Sequence, residues 1–253
     1  MFAQCLNYRR RTLLATRGLC YNRPMIWIWL LSSMVVGLGL LYWLIIIGEG
    51  SYFGRGVVRW IYSRGASIYD RVRSNVTIHD EIHLGGPLRV ALMAMPDAAT
   101  LDVGTGTGRV PLFLAQETWF HGAIHGLDLT AAMLAQAQIK AQQAKVTERI
   151  QWHEGSGDNL QRWPDQSFGV VTCLEALEYF PRPRRAIAEM WRVLQPEGTL
   201  IISTWTPRHA RWLPGKAWTA QQLQQLLFDF GCCDCEIRPW QADAYELVIA
   251  VKP

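Results

Sequence analysis

A glycine-rich turn with two nearby carboxylates is the segment of this sequence best suited to chemistry. Residues 101–108 read Leu-Asp-Val-Gly-Thr-Gly-Thr-Gly, and Asp128 follows Gly108 by twenty positions. A strand that runs into Gly104-x-Gly106-x-Gly108 and then into a helix lets the backbone approach a ligand closely and directs amide groups at it. An acidic residue about twenty positions further on suits ribose hydroxyls. The pattern therefore predicts a site for a nucleotide-like cofactor.

The position of Asp102 distinguishes two classes of cofactor. Dinucleotide-binding turns follow GxGxxG, whereas here the glycines alternate strictly and Asp102 precedes the first of them by two positions. A carboxylate at that point would repel a pyrophosphate, but it would attract the amino group and the positive sulfonium of S-adenosylmethionine. The residues therefore favour S-adenosylmethionine.

The elements that must hold this turn follow from the periodicity of the chain. From Ala98 onward, short apolar runs alternate with segments of 3.6-residue periodicity. This alternation favours an α/β fold in which helices cover both faces of a mostly parallel sheet. We predict strands near 99–103, 123–127, 149–153, 168–173, 198–204, 232–238 and 245–251, and helices over 108–117, 130–144, 182–193 and 219–229.

The segment DVGTGTG resembles the first motif, DxGxGxG, of the class I S-adenosylmethionine-dependent methyltransferases. Further segments resemble the small-molecule branch that includes the quinone-biosynthesis methyltransferases: GSGDNL at 155–160, PDQSF at 164–168, LEALEYF at 174–180 and RVLQPEG at 192–198. The resemblance covers about residues 98–253. It implies a Rossmann-like three-layer sandwich with a seven-stranded, mostly parallel sheet and S-adenosylmethionine as cofactor.

The resemblance also implies roles for individual residues. Asp102 and the first glycines would line the methionine part, Asp128 would hold the ribose and Leu129 would pack against the adenine. The residue after Gly155 usually is an aspartate that meets the adenine amino group, but here it is Ser156, and the contact could shift to Asp158. The full predicted cofactor set is Asp102, Gly104, Thr105, Gly106, Gly108, Asp128, Leu129, Ser156, Gly157, Asp158 and Leu174.

A catalytic base is optional for this chemistry, because positioning an acceptor in line with an activated methyl group supplies much of the acceleration. For a phenol or an acidic carbon, a nearby side chain could remove the proton. The candidates are Glu175 after the fourth strand, and Tyr69, His79 and His83 in a segment that in this family often folds over the site. Glu175 could instead be a solvated charge at a helix start. The histidines have the spacing of HExxH, but Asp80 replaces the glutamate, so we predict no metal.

A long apolar segment precedes this region. Residues 25–47 carry no charge and would form about 34 Å of helix, enough to span a bilayer, although a buried core helix is the alternative. Residues 1–75 contain ten arginines against two acidic residues, whereas the rest contains fifteen basic against nineteen acidic residues. A basic flank around an apolar run suits anionic lipid head groups better than nucleic acid. We therefore expect a single-pass membrane protein with no nucleic-acid partner.

We divide the chain into a basic tail (1–24), a transmembrane helix (25–47), an amphipathic juxtamembrane and lid segment (48–95) and an S-adenosylmethionine-binding domain (96–253). Within 51–75 we expect short amphipathic helices, because glycines weaken a long one, and we expect a break at 85–87. The arginine count would place the N-terminus inside, whereas a cytosolic cofactor favours a cytoplasmic catalytic domain. Translation starting at Met25 would reconcile the two. The six scattered cysteines indicate a reducing compartment.

Together these features predict a membrane-tethered methyltransferase whose acceptor is a lipophilic small molecule, such as a quinone precursor, a pigment or a lipid. Two alternatives stay open. The acceptor could be a soluble metabolite, with the tether serving localisation alone. The domain could also be a non-catalytic S-adenosylmethionine-binding or scaffold module, which the Ser156 departure favours.

Overall fold

The computed structural model describes residues 23–72, 83–241 and 244–253. The chain divides into two compact units, Met1–Ile46 and Ile47–Pro253. In the first unit, helix α1 spans Arg23–Tyr42 and continues as a π-helical turn over Trp43–Ile47. The stretch Met25–Ile47 has a mean hydropathy of 2.3 and none of it is buried, so it is long and apolar enough to cross a membrane. A signal sequence near the N-terminus would have the same properties.

The second unit contains the remaining helices and all strands of the described residues. A 3-10 turn at Ser51–Phe53 leads into α2 (Arg55–Val72), and α3 spans Gly85–Ala94. The helices that follow are α4 (Arg109–Gln116), α5 (Ala131–Gln143), α6 (Pro183–Val193), α7 (Pro207–Ala210) and α8 (Ala220–Asp229). The strands are β1 (Thr100–Val103), β2 (Ile124–Asp128), β3 (Ile150–Glu154), β4 (Phe168–Cys173), β5 (Leu194–Trp205), β6 (Cys235–Pro239) and β7 (Tyr245–Val251).

These strands form one sheet in the order β3-β2-β1-β4-β5-β7-β6. Strands β3, β2, β1, β4 and β5 are parallel to one another, and β7 runs antiparallel to both β5 and β6. The chain proceeds from β1 to one side through β2 and β3, and then returns to the other side with β4. In parallel α/β sheets, ligands bind at the carboxyl ends of the strands beside such a reversal. The topology therefore places the candidate site at the ends of β1, β2 and β4.

Helices cover both faces of the sheet, and alternate strand residues enter two separate buried clusters. In β4, Val171 and Cys173 belong to a cluster with α6 and α8, whereas Val170 belongs to a cluster with α3 and α4. The predicted seven-stranded, mostly parallel α/β sandwich is confirmed. The predicted strands and the four predicted helices after residue 108 are all present, with ends that differ by a few residues.

Two predictions before β1 are wrong. The region after residue 51 forms one 18-residue helix, α2, in place of several short helices. An added Cβ at Gly56 or Gly65 would meet no atom within 4 Å, so packing of the other residues, including buried Val58 and Ala66, outweighs the weak helix propensity of glycine. The predicted break at 85–87 is instead the first turn of α3, where Pro87 is tolerated because amide groups there have no intrahelical partner.

Candidate functional site

The glycine turn connects β1 to α4 and needs glycine for different reasons at each position. Gly104, Gly106 and Gly108 all have positive φ angles, of 76°, 55° and 83°. A Cβ at Gly104 would lie 2.4 Å from the Cβ of Ala176, and one at Gly108 would lie 2.6 Å from the ring of Trp152. A Cβ at Gly106 would meet nothing within 4 Å. Gly104 and Gly108 therefore permit close packing, whereas Gly106 borders open space.

That space is a cavity of about 430 Å³ at the carboxyl ends of the parallel strands. The volume is in the range of sites for small molecules. Most of the predicted site residues in the described chain line it, namely Tyr69, Asp102, Gly104, Thr105, Gly106, Asp128, Leu129, Ser156, Gly157, Leu174 and Glu175. The fold thus brings residues from the ends of four strands to one cavity.

Two carboxylates line the cavity, one buried (Asp102) and one half-buried (Asp128). Asp102 accepts a hydrogen bond of 2.5 Å from Thr172 Oγ1, and Asp128 accepts bonds of 2.8 Å from the amides of Gly106 and Thr130. Burial raises the pKa of both carboxyl groups, and their hydrogen bonds oppose that rise. A cation placed between them would offset the cost of keeping these charges away from water. This part of the cavity is therefore suited to a positively charged ligand.

Asp158 and Gly108 do not line the cavity. The Asp158 carboxylate accepts hydrogen bonds from Ser156 Oγ at 2.6 Å and Arg182 Nε at 3.0 Å, and it lies 3.7 Å from Arg55. Burial alone would raise its pKa, but these partners outweigh burial and hold the pKa below its usual value. Asp158 therefore fixes the loop that carries Ser156 and does not reach into the cavity. Gly108 serves the packing of α4 against β3.

Glu175 lies at the cavity wall, in a left-handed conformation with φ 51°. Its side chain is 4% exposed, so the alternative of a solvated charge is wrong. The carboxylate is 3.1 Å from Arg109 Nη1 and accepts a hydrogen bond of 2.7 Å from Gln241 Nε2, while its amide donates to Ser203 Oγ. Glu175 is consequently held by three partners at the edge of the site.

The other three candidates for a catalytic base differ in their position relative to the cavity. Tyr69 lines the cavity from α2, with its ring centroid 6.1 Å from that of Tyr62. His83 is exposed and is not among the lining residues. His79 lies outside the described residues. The structure thus brings Tyr69 to the site, and it gives His83 no contact with the cavity.

Helix α2 forms a wall of the cavity and is attached to the sheet at both ends. Near its start, Arg59 donates to the carbonyl of Leu129 at 3.1 Å and pairs with Glu154 at 3.1 Å. Near its end, Asp70 accepts hydrogen bonds from Thr107 Oγ1 at 2.6 Å and Lys140 Nζ at 3.1 Å. These contacts connect α2 to the turn after β1, to the residue after β2, to the last residue of β3 and to α5.

Sequence reasoning missed a cluster beside the cavity that consists of Glu49, Tyr62 and Tyr179. The hydroxyl groups of Tyr62 and Tyr179 both donate to Oε2 of Glu49, the latter at 2.7 Å, and the two rings meet edge to face at 5.5 Å. Tyr62 and Tyr179 line the cavity. The spacing of Val58, Tyr62 and Tyr69 on one helix face was the available signal, but no local pattern connects positions 49 and 179.

The residues present fit S-adenosylmethionine. The space beside Gly106 and the buried Asp102 suit a positively charged group, Asp128 adds a second carboxylate that can accept hydrogen bonds, and Leu129 and Leu174 offer apolar contacts. The sequence from Leu101 to Ile202 matches a family model described as the methyltransferase domain. This stretch is a class I S-adenosylmethionine-dependent methyltransferase domain. S-adenosylmethionine is accordingly its cofactor.

The methyltransferase domain resembles proteins of quinone biosynthesis. The chain is 30% identical over 144 residues to the demethylmenaquinone methyltransferase of Lactiplantibacillus plantarum, a match that covers 57% of this chain and 60% of that protein. It is 31% identical over 128 residues to the ubiquinone biosynthesis O-methyltransferase of Pseudomonas putida, which covers 49% of this chain and 53% of the relative. The chain thus spans between half and two thirds of the length of these relatives.

Solved structures agree on the fold of the methyltransferase domain. An S-adenosylmethionine-dependent methyltransferase from Aquifex aeolicus superposes with a TM-score of 0.53 at 18% sequence identity. The superposition covers 66% of this chain and 89% of that chain. At this identity the likeness concerns the fold alone.

Proposed function

We propose that this protein transfers a methyl group from S-adenosylmethionine to a lipophilic small molecule, such as a quinone precursor, a pigment or a lipid, at a membrane surface. The observation that carries the proposal is the unequal composition of the cavity wall. The lining combines glycine backbone and two carboxylates with aromatic and aliphatic side chains, and it also includes charged residues such as Arg109 and Glu175. In this proposal the glycine turn and the two carboxylates form a first, cofactor end, and the apolar side chains form a second, acceptor end. A charged methyl donor suits the first end, and an apolar acceptor suits the second.

At the first end, Asp102, Asp128 and the glycine turn would hold the cofactor. Because Gly106 donates its amide to Asp128, the ribose-binding carboxylate and the turn are positioned together. S-adenosylmethionine supplies an activated methyl group, so the protein has mainly to orient the acceptor toward it and to exclude water. The rigid attachment of α2 to the sheet serves both purposes.

At the second end, α2 contributes Val58, Tyr62 and Tyr69, and the segment after β4 contributes Tyr179 and Phe180. These side chains offer dispersion contacts and aromatic faces to a planar or aliphatic acceptor. The relatives named for demethylmenaquinone and ubiquinone act in quinone biosynthesis, and an apolar subsite of this kind fits a similar acceptor here.

The outer face of α2 supports a location at a membrane. Trp60, Ile68 and Val72 are 56%, 44% and 74% exposed, and the guanidinium of Arg64 lies 4.6 Å from the Trp60 ring. A helical projection places Trp60 and Arg64 roughly opposite Tyr62, which lines the cavity, and it places Ile68 and Val72 on one flank of the helix. Exposed apolar residues mixed with arginine are typical of helices that lie in the interface of an anionic bilayer.

The order of elements adds to this argument. Arg55, the first residue of α2, is the eighth residue after Ile47, where the apolar segment ends. A chain that leaves a bilayer at Ile47 would therefore start α2 close to the lipid head groups, with the catalytic domain on the cytoplasmic side.

The proposal is tested by incubating membranes that contain the full chain with S-adenosylmethionine labelled in its methyl group. We expect label in the organic extract, and none when the membranes lack the protein. Label in the aqueous fraction would instead indicate a soluble acceptor. Binding of S-adenosylmethionine without transfer to any fraction would contradict the enzymatic proposal and favour the scaffold alternative.

The assignment of the cofactor end has its own test. Replacing Asp128 by alanine removes a carboxylate that would bind the ribose, and we expect the dissociation constant of S-adenosylmethionine to rise about 10- to 100-fold in calorimetry. Asp97→Ala serves as the control, because Asp97 is exposed and does not line the cavity. Equal affinity in the two variants would show that Asp128 does not hold the ribose.

A further inference from the structure

A glutamate in the turn between the apolar segment and α2 accepts hydrogen bonds from two tyrosines of the cavity wall. Glu49 is the one acidic residue between Met25 and Asp70 in the sequence. It has a left-handed backbone conformation, with φ 44°, in a turn stabilised by a hydrogen bond of 2.8 Å from the amide of Ser51 to the carbonyl of Gly48. The turn directs its carboxylate at two tyrosines of the cavity wall.

Tyr62 and Tyr179 come from different elements but share one acceptor. Both hydroxyl groups donate to the same oxygen, Oε2 of Glu49. Each phenol oxygen keeps lone pairs that can accept a hydrogen bond from a molecule in the cavity. A hydroxyl group bound there would thus be connected through one phenol to a carboxylate that does not itself line the cavity.

The electrostatics of the cluster keep both phenols protonated. Burial raises the pKa of Tyr62 and Tyr179 well above the usual value, and the negative charge of Glu49 raises it further. The other titratable groups that face the two phenols are Tyr69 on α2, Glu178 beside Tyr179, and Tyr245 on β7. A neutral phenol bonded to a carboxylate can pass a proton on without ionising in the resting state.

We propose that Tyr62 and Tyr179, backed by Glu49, take up the proton of a hydroxyl acceptor, so that the molecule methylated in this cavity is a phenol, an enol or a related O–H compound. The inference rests on the proposed function and narrows its acceptor to one chemical class. Tyr62 and Tyr179 are the catalytic residues in this scheme, since they border the acceptor. Glu49 acts through them as a positioning residue and final proton acceptor.

The step balances without a further reactant. The acceptor oxygen forms its bond to the methyl carbon while the carbon–sulfur bond breaks, and that electron pair returns to sulfur. The hydroxyl proton passes to the oxygen of one phenol, whose own proton passes to Glu49. Because Glu49 is half-buried, it can release the proton to solvent before the next turnover.

Rates of methyl transfer in membranes test the relay with the full chain. General-base catalysis contributes about 100-fold or more, so we expect Glu49→Gln to lower the rate at neutral pH by about that factor. Tyr62→Phe and Tyr179→Phe should also lower the rate, and raising the pH should partly restore transfer in Glu49→Gln. Tyr52→Phe is the matched control with an unchanged rate, because the Tyr52 hydroxyl bonds to the carbonyl of Pro214 and Tyr52 does not line the cavity.

The labelled product tests the chemical class. A methyl ether releases its label as volatile methyl iodide in hot hydriodic acid, whereas a methyl group on carbon stays with the product. Release of the label supports the proposal, and retention overturns it. A rate for Glu49→Gln within threefold of the wild type, with the same pH profile, also overturns it and leaves the methyltransferase function intact. Absence of label in every fraction overturns both the proton relay and the proposed methyltransferase function.

A spectroscopic measurement tests the cluster without turnover. Because Glu49 raises the pKa of both phenols, Glu49→Gln should lower the pH at which they ionise, which is followed through tyrosinate absorbance in the ultraviolet. Calorimetry with S-adenosylmethionine should give the wild-type affinity and thereby show that the variant is folded. Identical titration curves for the two proteins would mean that the carboxylate does not contact the phenols, and would overturn the proposal.

Discussion

Glu178 is a carboxyl group that the protein keeps in an unusual state. It is buried, and it accepts hydrogen bonds of 3.0 Å from Trp205 Nε1 and 3.1 Å from the Tyr245 hydroxyl. Burial raises its pKa from the usual 4.5 to about 7, and the nearby charge of Glu175 adds to the rise. At neutral pH this side chain is therefore partly protonated beside the site.

The raised pKa predicts a pH dependence of stability. The folded protein binds the Glu178 proton more tightly than the unfolded chain, so the free energy of unfolding falls as the pH rises from about 4.5 to about 7. The loss amounts to about 3 kcal/mol at most, since each pKa unit corresponds to about 1.4 kcal/mol. We expect denaturation curves at pH 5 and pH 8 to differ by less for Glu178→Gln than for the wild type. Equal differences in the two proteins would contradict the prediction.

Residues whose roles depend on their immediate neighbours in sequence were predictable. Asp102 and the alternating glycines lie within one short segment, and the distance to Asp128 is set by one helix and one strand. Glu49, Tyr62 and Tyr179 were missed because a contact between elements far apart in sequence brings them together. Asp158 was misplaced for the same reason, since the arginine that binds it comes from position 182.

Among the helices, α2 contributes to the cavity, to the packing against the rest of the fold and to the exposed surface. One face lines the cavity, its ends are attached to the sheet, and its outer face is apolar and basic. It does this despite Gly65 in its interior, where an added Cβ would meet nothing within 4 Å. The glycine therefore lowers the stability of the helix without serving a contact that the structure shows.

This element yields a stability prediction. Replacing Gly65 by alanine should raise the free energy of unfolding by about 0.5–1 kcal/mol, because alanine has the higher helix propensity. Gly104→Ala is the contrasting variant, since its Cβ would lie 2.4 Å from that of Ala176 at a positive φ, and we expect it to destabilise the protein. Thermal unfolding of the full chain in detergent measures both. A lower midpoint for Gly65→Ala would show that the outer face needs glycine.

The strands and helices after residue 98 were predictable because each has a clear apolar period of its own. The prediction for α2 was wrong because glycine propensity, worth about 1 kcal/mol per residue, was weighed without the tertiary packing that outweighs it. The prediction of a break at 85–87, where the structure has the first turn of α3, was wrong for a related reason. Glycine and proline punctuate many loops, but both are tolerated at the start of a helix.

At the scale of the whole molecule, an apolar unit is joined to a catalytic unit through a short turn. We expect the full chain to stay with membranes after extraction at alkaline carbonate pH. The double variant Val36→Arg and Leu38→Arg should be released, because each arginine at the centre of a span costs about 3 kcal/mol. Gln142→Arg, on the exposed surface of α5, is the control.

Two results would contradict the membrane proposal. Wild-type protein in the carbonate supernatant would exclude a spanning helix. A mature protein whose mass lacks residues up to the end of the apolar segment would identify that segment as a cleaved signal. A mass that includes residues 1–24 would separately contradict a start at Met25, on which the expected cytoplasmic orientation depends.

The turn at Gly48-Glu49-Gly50 has a consequence for how this protein can evolve and be engineered. Gly50 has a positive φ of 71°, and a Cβ there would lie 2.7 Å from Ile61 Cδ1, so position 50 favours glycine. If residues 25–47 are an anchor and Glu49 belongs to the site, Gly48 alone separates the anchor from the site. A soluble version would have to begin at or before Gly48, and a chimera with a foreign anchor would have to be fused upstream of the same point. A cut placed a few residues later would remove part of the active site together with the anchor.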